Sequence, residues 1–111
     1  MSAERAYMLV TCKIDAAQAG AFKQYVGNAR PLFAAYGGKP AGQYAVASTL
    51  VGSADTTHVI VMEFPSADAI RACLADPAYV ALIPFRSLAF PTLHIAIAAD
   101  FDPMPLIQAG S

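Results

Sequence analysis

The chain is poor in charge. Asp, Glu, Lys and Arg make up 14% of its 111 residues, and seven cations against eight anions leave a net charge of −1. The cations are scattered singly, so there is no basic field for nucleic acid and no polybasic stretch for a membrane surface. Cysteine is scarce as well: Cys12 and Cys73 lie far apart, each among apolar neighbours. No CxxC and no Cys/His spacing is present, so zinc and thioredoxin-like chemistry are unsupported. Two buried, reduced thiols in a cytoplasmic protein are expected instead. No apolar run approaches the ~20 residues of a membrane span. Arg5, an apolar run and Ala17-Gln18-Ala19 imitate an export signal weakly, but Glu4, Lys13 and Asp15 interrupt it. Gly37-Gly38 has no helix start after it, so it reads as a helix stop and not a phosphate loop. There is no internal repeat and no linker.

What is abundant is apolar surface, 57% of residues. A single domain of this size cannot hide that much by itself, so a second copy of the chain is expected to cover part of it. The stretch from His58 to Arg86 carries the clearest structural signals. Val59 to Met62 is a short, largely β-branched run stopped by Phe64-Pro65-Ser66. Ser66 can cap a helix with Asp68 in its first turn, and Asp76-Pro77 is a second helix start. Residues 6–14 alternate, with Ala6, Met8, Val10, Cys12 and Ile14 forming one wholly apolar face. From Asp15 to about Tyr36, apolar residues recur at helical spacing, with Pro31 predicting a kink or break near Asn28. Strands are expected over 41–51 and 57–64, joined by the loop 52–56. A broken helix over 66–83 interrupted at Pro84 and a strand over 92–99 complete the domain, residues 1–100. Residues 101–111 read as an extended tail with two prolines.

The order β-α-β-β-α-β is the ferredoxin-like arrangement of the α+β class, with sheet order 4-1-3-2 and both helices on one face. The other face needs a cover. Two copies packed sheet to sheet give a dimeric α+β barrel.

The runs AYMLVTCKIDA, FKQYV, AAYGGKP, VIVMEFPSADA and DPAYVALIPFR resemble the domain-of-unknown-function 1330 family over roughly residues 6–99. The most specific parts are Tyr36-Gly37-Gly38-Lys39, Glu63-Phe64-Pro65-Ser66 and Tyr79 to Arg86. The resemblance implies membership of the dimeric α/β-barrel superfamily and a homodimer, without a reaction. That superfamily includes cofactor-free monooxygenases and isomerases as well as stress-responsive barrel proteins. Gln43, Val51-Gly52 and Ala78 stand where the family often has other, more polar residues.

For chemistry, strand parity puts Tyr7, Thr11, Lys13 and Glu63 on the face away from the helices. With the first and third strands taken as parallel and Tyr7 level with Thr57, Lys13 falls level with Glu63. The pair is then either a rim ion pair or a carboxylate poised as a base by an ammonium. His94 is expected at the same end. His58 is expected near the opposite end, too far away to share a metal, with its side chain toward the helices. The candidate catalytic set is Glu63, His94 and Lys13, with Arg86, Tyr7 and Thr11 binding substrate and no metal or cofactor. The expected function is a cofactor-free enzyme, of monooxygenase or isomerase type, acting on a small apolar or aromatic metabolite. The alternative is a non-catalytic ligand-binding or stress-associated dimer.

Overall fold

The computed structural model of the protein describes residues 4–109. Strand β1 (Ala6–Lys13) leads through a 3-10 turn (Ala16–Gln18) into helix α1 (Ala19–Ala35). Strands β2 (Lys39–Ala45) and β3 (His58–Phe64) follow. Three short helices, α2 (Ala67–Ala75), α3 (Pro77–Val80) and α4 (Ile83–Ala89), precede β4 (Thr92–Ala98) and a final helix α5 (Met104–Ala109). The four strands form one sheet in the order β2-β3-β1-β4, the ferredoxin-like order.

The local signals account for most of the joints. Asp15 accepts from the Ala17 N–H and caps the 3-10 turn; Ser66 accepts from Ala69 and caps α2. Asp76 accepts from Ala78 and starts α3, with Pro77 at its first position. Gly37 has φ +85°, the left-handed backbone that ends a helix. There the Tyr36 hydroxyl donates to Asp76 at 2.7 Å, tying the end of α1 to the joint between α2 and α3.

Several boundaries differ from the sequence expectation. Helix α1 is not broken at Pro31, because Pro31 and Gly27 are both exposed and the carbonyl deprived of its partner faces water. Strand β2 stops at Ala45 instead of continuing to residue 51, one further bond joining Val46 to Thr57, so the connection is a longer loop. Pro84 does not interrupt a helix; it lies in the first turn of α4, where a missing N–H is harmless. The tail is partly helical, with Asp102 accepting from the Met104 N–H. The outermost residues of the expected domain and tail, 1–3 and 110–111, lie outside the described residues.

All strand pairs are antiparallel. The expectation of parallel β1 and β3 is therefore overturned. The crossover through α1 makes β2 parallel to β1, and the β2–β3 hairpin reverses direction again. Alternate β1 residues Ala6, Met8, Val10 and Cys12 are buried under the helices. There α1 and the α2–α4 segment pack through edge-to-face aromatic contacts, among them Tyr25 on Phe90 at 5.4 Å. The opposite, open face carries half-buried Tyr7, Leu9, Thr11, Val59 and Val61.

Candidate functional site

A cavity of about 510 Å³ lies between α1 and the helix side of the sheet. It exists because α1 spans the gap above β2 and β3 with mixed small and aromatic side chains. Its inner wall is apolar, with buried Met8, Val10, Ala29, Phe33 and Met62. The exposed lining residues, Arg30 and Ala34 of α1 and Pro40, Gln43, Tyr44 and Ala45 of β2, mark its mouth along the sheet edge. Its volume and mostly apolar lining fall within the range of small-molecule pockets.

Two titratable side chains belong to the inner wall. Tyr25 contributes its ring, while its hydroxyl is bonded to that of Tyr79 at 2.8 Å. Burial first, and the neighbouring Tyr79 second, push the Tyr25 pKa far above the usual phenol range, so this phenol is neutral. Arg86 donates to the Tyr79 hydroxyl at 3.1 Å and lies 5.7 Å from the centre of its ring. Half-buried His58 is the second group, its Nδ1 held 2.8 Å from the Thr57 hydroxyl oxygen. Thr57 itself accepts from the Ile14 N–H at 3.0 Å and lies 3.3 Å from the Cys12 carbonyl. The imidazole is thereby fixed by a residue that is anchored on β1.

The residues singled out from sequence lie elsewhere. Glu63, Lys13, Tyr7 and Thr11 do share the open face, and His94 joins them opposite Thr11. Glu63, however, is opposite Tyr7 at one end of β1, while Lys13 is at the other, opposite Thr92. The expected Lys13–Glu63 pair does not form. Glu63 instead lies 3.6 Å from Arg5, which also reaches Asp100 at 3.9 Å, in an exposed cluster of ions. His94 accompanies Lys13 but not Glu63. His58 and His94 are near the same end of the sheet and not opposite ends, for β3 and β4 both run antiparallel to β1. They point to opposite faces, His58 with Cys12 and His94 with Thr11. Arg86 supports Tyr79 and does not line the cavity. Among the described residues, no group of three His, Cys, Asp or Glu could hold a metal ion.

Sequence reasoning missed His58 and Gln43 as cavity residues; Arg30, open from sequence to binding a carboxylate at a barrel mouth, lies at the mouth of this cavity instead. Parity already turned His58 toward the helices, but parity cannot tell a filled interface from a hollow one.

Solved structures share the fold. A protein of unknown function from Rhodopseudomonas palustris, RPA0582, is 24% identical, with 89% of this chain and 84% of that chain covered and a TM-score of 0.75. SnoaB, a cofactor-independent oxygenase from Streptomyces nogalater, is 16% identical over 93% of this chain and 99% of its own, with a TM-score of 0.63. A dabb family protein with a ferredoxin-like fold from Mesorhizobium loti is 17% identical over 88% and 98%, also with a TM-score of 0.63. No curated protein matches the chain. The family model of the Domain of unknown function (DUF1330) matches residues 5–99, and to that family the chain belongs.

Proposed function

We propose that the protein is a cofactor-free enzyme acting on a small, largely apolar or aromatic molecule bound between α1 and the sheet. The observation that carries this reading is the apolar cavity of about 510 Å³ with a single imidazole, His58, in its wall. With the Thr57 hydroxyl hydrogen directed at the Cys12 carbonyl, Nδ1–H of His58 donates to Thr57 and Nε2 is the basic nitrogen. Such a base removes a proton from a phenol or an activated carbon. The resulting anion either takes a proton back at a second carbon or reacts with dioxygen. Oxidation of a CH2 group to a carbonyl supplies all four electrons that dioxygen needs, one oxygen staying in the product and the other leaving as water. The shared fold with a cofactor-independent oxygenase favours the second course.

In this reading the open face is an assembly surface. Two copies meet through it as a homodimer, enclosing Tyr7, Thr11 and Val61, with Glu63, Lys13 and His94 toward the rim. Exposed Leu50, Val51, Phe101 and Leu106 provide further apolar surface for the partner. Reduced Cys12 and Cys73 fit a cytoplasmic protein; among the described residues no helix is long and apolar enough to cross a membrane.

The test is aerobic incubation with a panel of polycyclic phenols and ketones, followed by oxygen uptake and product mass. His58→Gln should lower turnover by about a hundredfold or more while ligand is still retained. Wild-type turnover in this variant would remove His58 as the base. Retention of ligand without turnover of any compound by the wild type would favour the binding protein over the enzyme.

A further inference from the structure

We infer that the cavity selects apolar molecules that carry one acidic group, and that Arg30 holds that group at the mouth. The inference rests on the reading of the cavity as a small-molecule site and adds the chemical class of its occupant. None of the lining residues is Asp or Glu, and Arg30 is the only Lys or Arg among them. Among the described residues the Arg30 side chain has no hydrogen-bond or ion-pair partner; each ion pair there belongs to Arg5 or Arg71. The Gln43 amide across the mouth is likewise unengaged. A planar guanidinium donates two parallel hydrogen bonds to a carboxylate, and a side-chain amide can add another.

The interior imposes the second half of the selection. The Tyr25 hydroxyl is already bonded to Tyr79 and Nδ1 of His58 to Thr57. No buried side-chain nitrogen or oxygen among the described residues lacks a partner. A charged or strongly polar group carried inward would lose its water and find little in return. A cationic ligand would meet one like charge and no carboxylate. A second carboxylate would have no second permanent cation, Nε2 of His58 being the one basic atom of the inner wall. The occupant that satisfies both ends is therefore a hydrophobic monoacid, its apolar body against Met8, Phe33 and Met62 and its acid at Arg30.

Three fluorescent probes of one shape test this: anthracene-2-carboxylate, anthracene-2-carboxamide and anthracen-2-ylmethylammonium. Each is titrated against the wild type, Arg30→Gln and Ile60→Trp at low and moderate salt. The wild type should bind the carboxylate about tenfold tighter than the amide and the ammonium most weakly, a preference that shrinks with salt. Arg30→Gln should bring carboxylate and amide to within about twofold of each other, with amide affinity unchanged. Ile60→Trp fills the cavity and should weaken both, which locates the binding. Equal binding of carboxylate and amide by the wild type, or a preference surviving Arg30→Gln, would overturn the role of Arg30 while leaving the cavity as a binding site. Failure of all three probes to bind would overturn the binding reading and this inference with it.

Discussion

Tyr25 and Tyr79 share one buried hydrogen bond, but the two hydroxyls are not equivalent, and removing them one at a time should reveal it. Tyr25→Phe deletes a bond of 2.8 Å and leaves the Tyr79 hydroxyl still bonded to Arg86. The cost is that of one ordinary buried hydrogen bond, about 1 kcal/mol. Tyr79→Phe strands the Tyr25 hydroxyl, which has no other hydrogen-bond partner among the described residues, and also removes the acceptor used by Arg86. An orphaned buried hydroxyl costs about 1–3 kcal/mol by itself, so this variant should lose roughly 2–3 kcal/mol. The double variant has no hydroxyl to strand. It should be no less stable than Tyr79→Phe, with a coupling of about 1–2 kcal/mol between the sites. Guanidinium denaturation followed by far-UV circular dichroism, at one fixed protein concentration, reads all three. In thermal melts each kcal/mol corresponds to roughly 4 °C for a domain of this size. Equal losses in the two single variants, or strict additivity in the double, would refute the unequal-partner account.

Glycine substitutions should change sign with position. A Cβ at Gly38 would stand 2.6 Å from the ring of buried Phe64 and 2.9 Å from the Phe33 carbonyl, so Gly38→Ala should cost about 1–3 kcal/mol. Gly27 in α1 has open space there, and Gly27→Ala should stabilise by about 0.5–1 kcal/mol in the same denaturation assay. Burial first, and Asp76 second, push the Cys73 thiol from 9.0 up to about 11; its contribution is full below pH 9 and lost as pH rises through 11, and Cys73→Ala should flatten that decline. The Tyr36 hydroxyl, then the Ala78 N–H, hold the Asp76 carboxyl below the ordinary carboxylate range. Its contribution is present above pH 3.8 and lost below it, and Tyr36→Phe should reduce this acid sensitivity in pH-dependent melts. On the proposed homodimer, the wild type should sediment as a dimer in analytical ultracentrifugation and Val61→Asp on the open face should shift it toward monomer while leaving far-UV dichroism intact.

The fold was legible because most of its joints are marked by a local residue. Ser66, Asp76-Pro77 and Gly37 act within a few positions of themselves, and the alternation along β1 names its buried face without reference to the rest of the chain. The direction of one strand against another has no such marker. It follows from counting reversals through α1 and the β2–β3 hairpin, and a single reversal misjudged moves Lys13 from beside Glu63 to the far end of the sheet. The faces of Tyr7, Thr11 and His58 were correctly read, whereas their neighbours were not. The cavity was out of reach for another reason. Whether α1 seats tightly or leaves room above β2 and β3 depends on the combined shapes of about twenty side chains from five elements, and no periodic pattern records a void.

Strand β1 touches both compartments at once. Val10 borders the cavity and Thr11, the next residue, looks onto the open face. The strand is bonded on both sides along its length. A strand held in this way should carry a displacement imposed at one face to the other. Spectroscopic labels at positions 10 and 11 would act as two channels on a single peptide unit, one facing the proposed ligand site and the other the proposed dimer surface. Correlated responses from the two would mean that ligand and assembly are thermodynamically linked across the thickness of one strand.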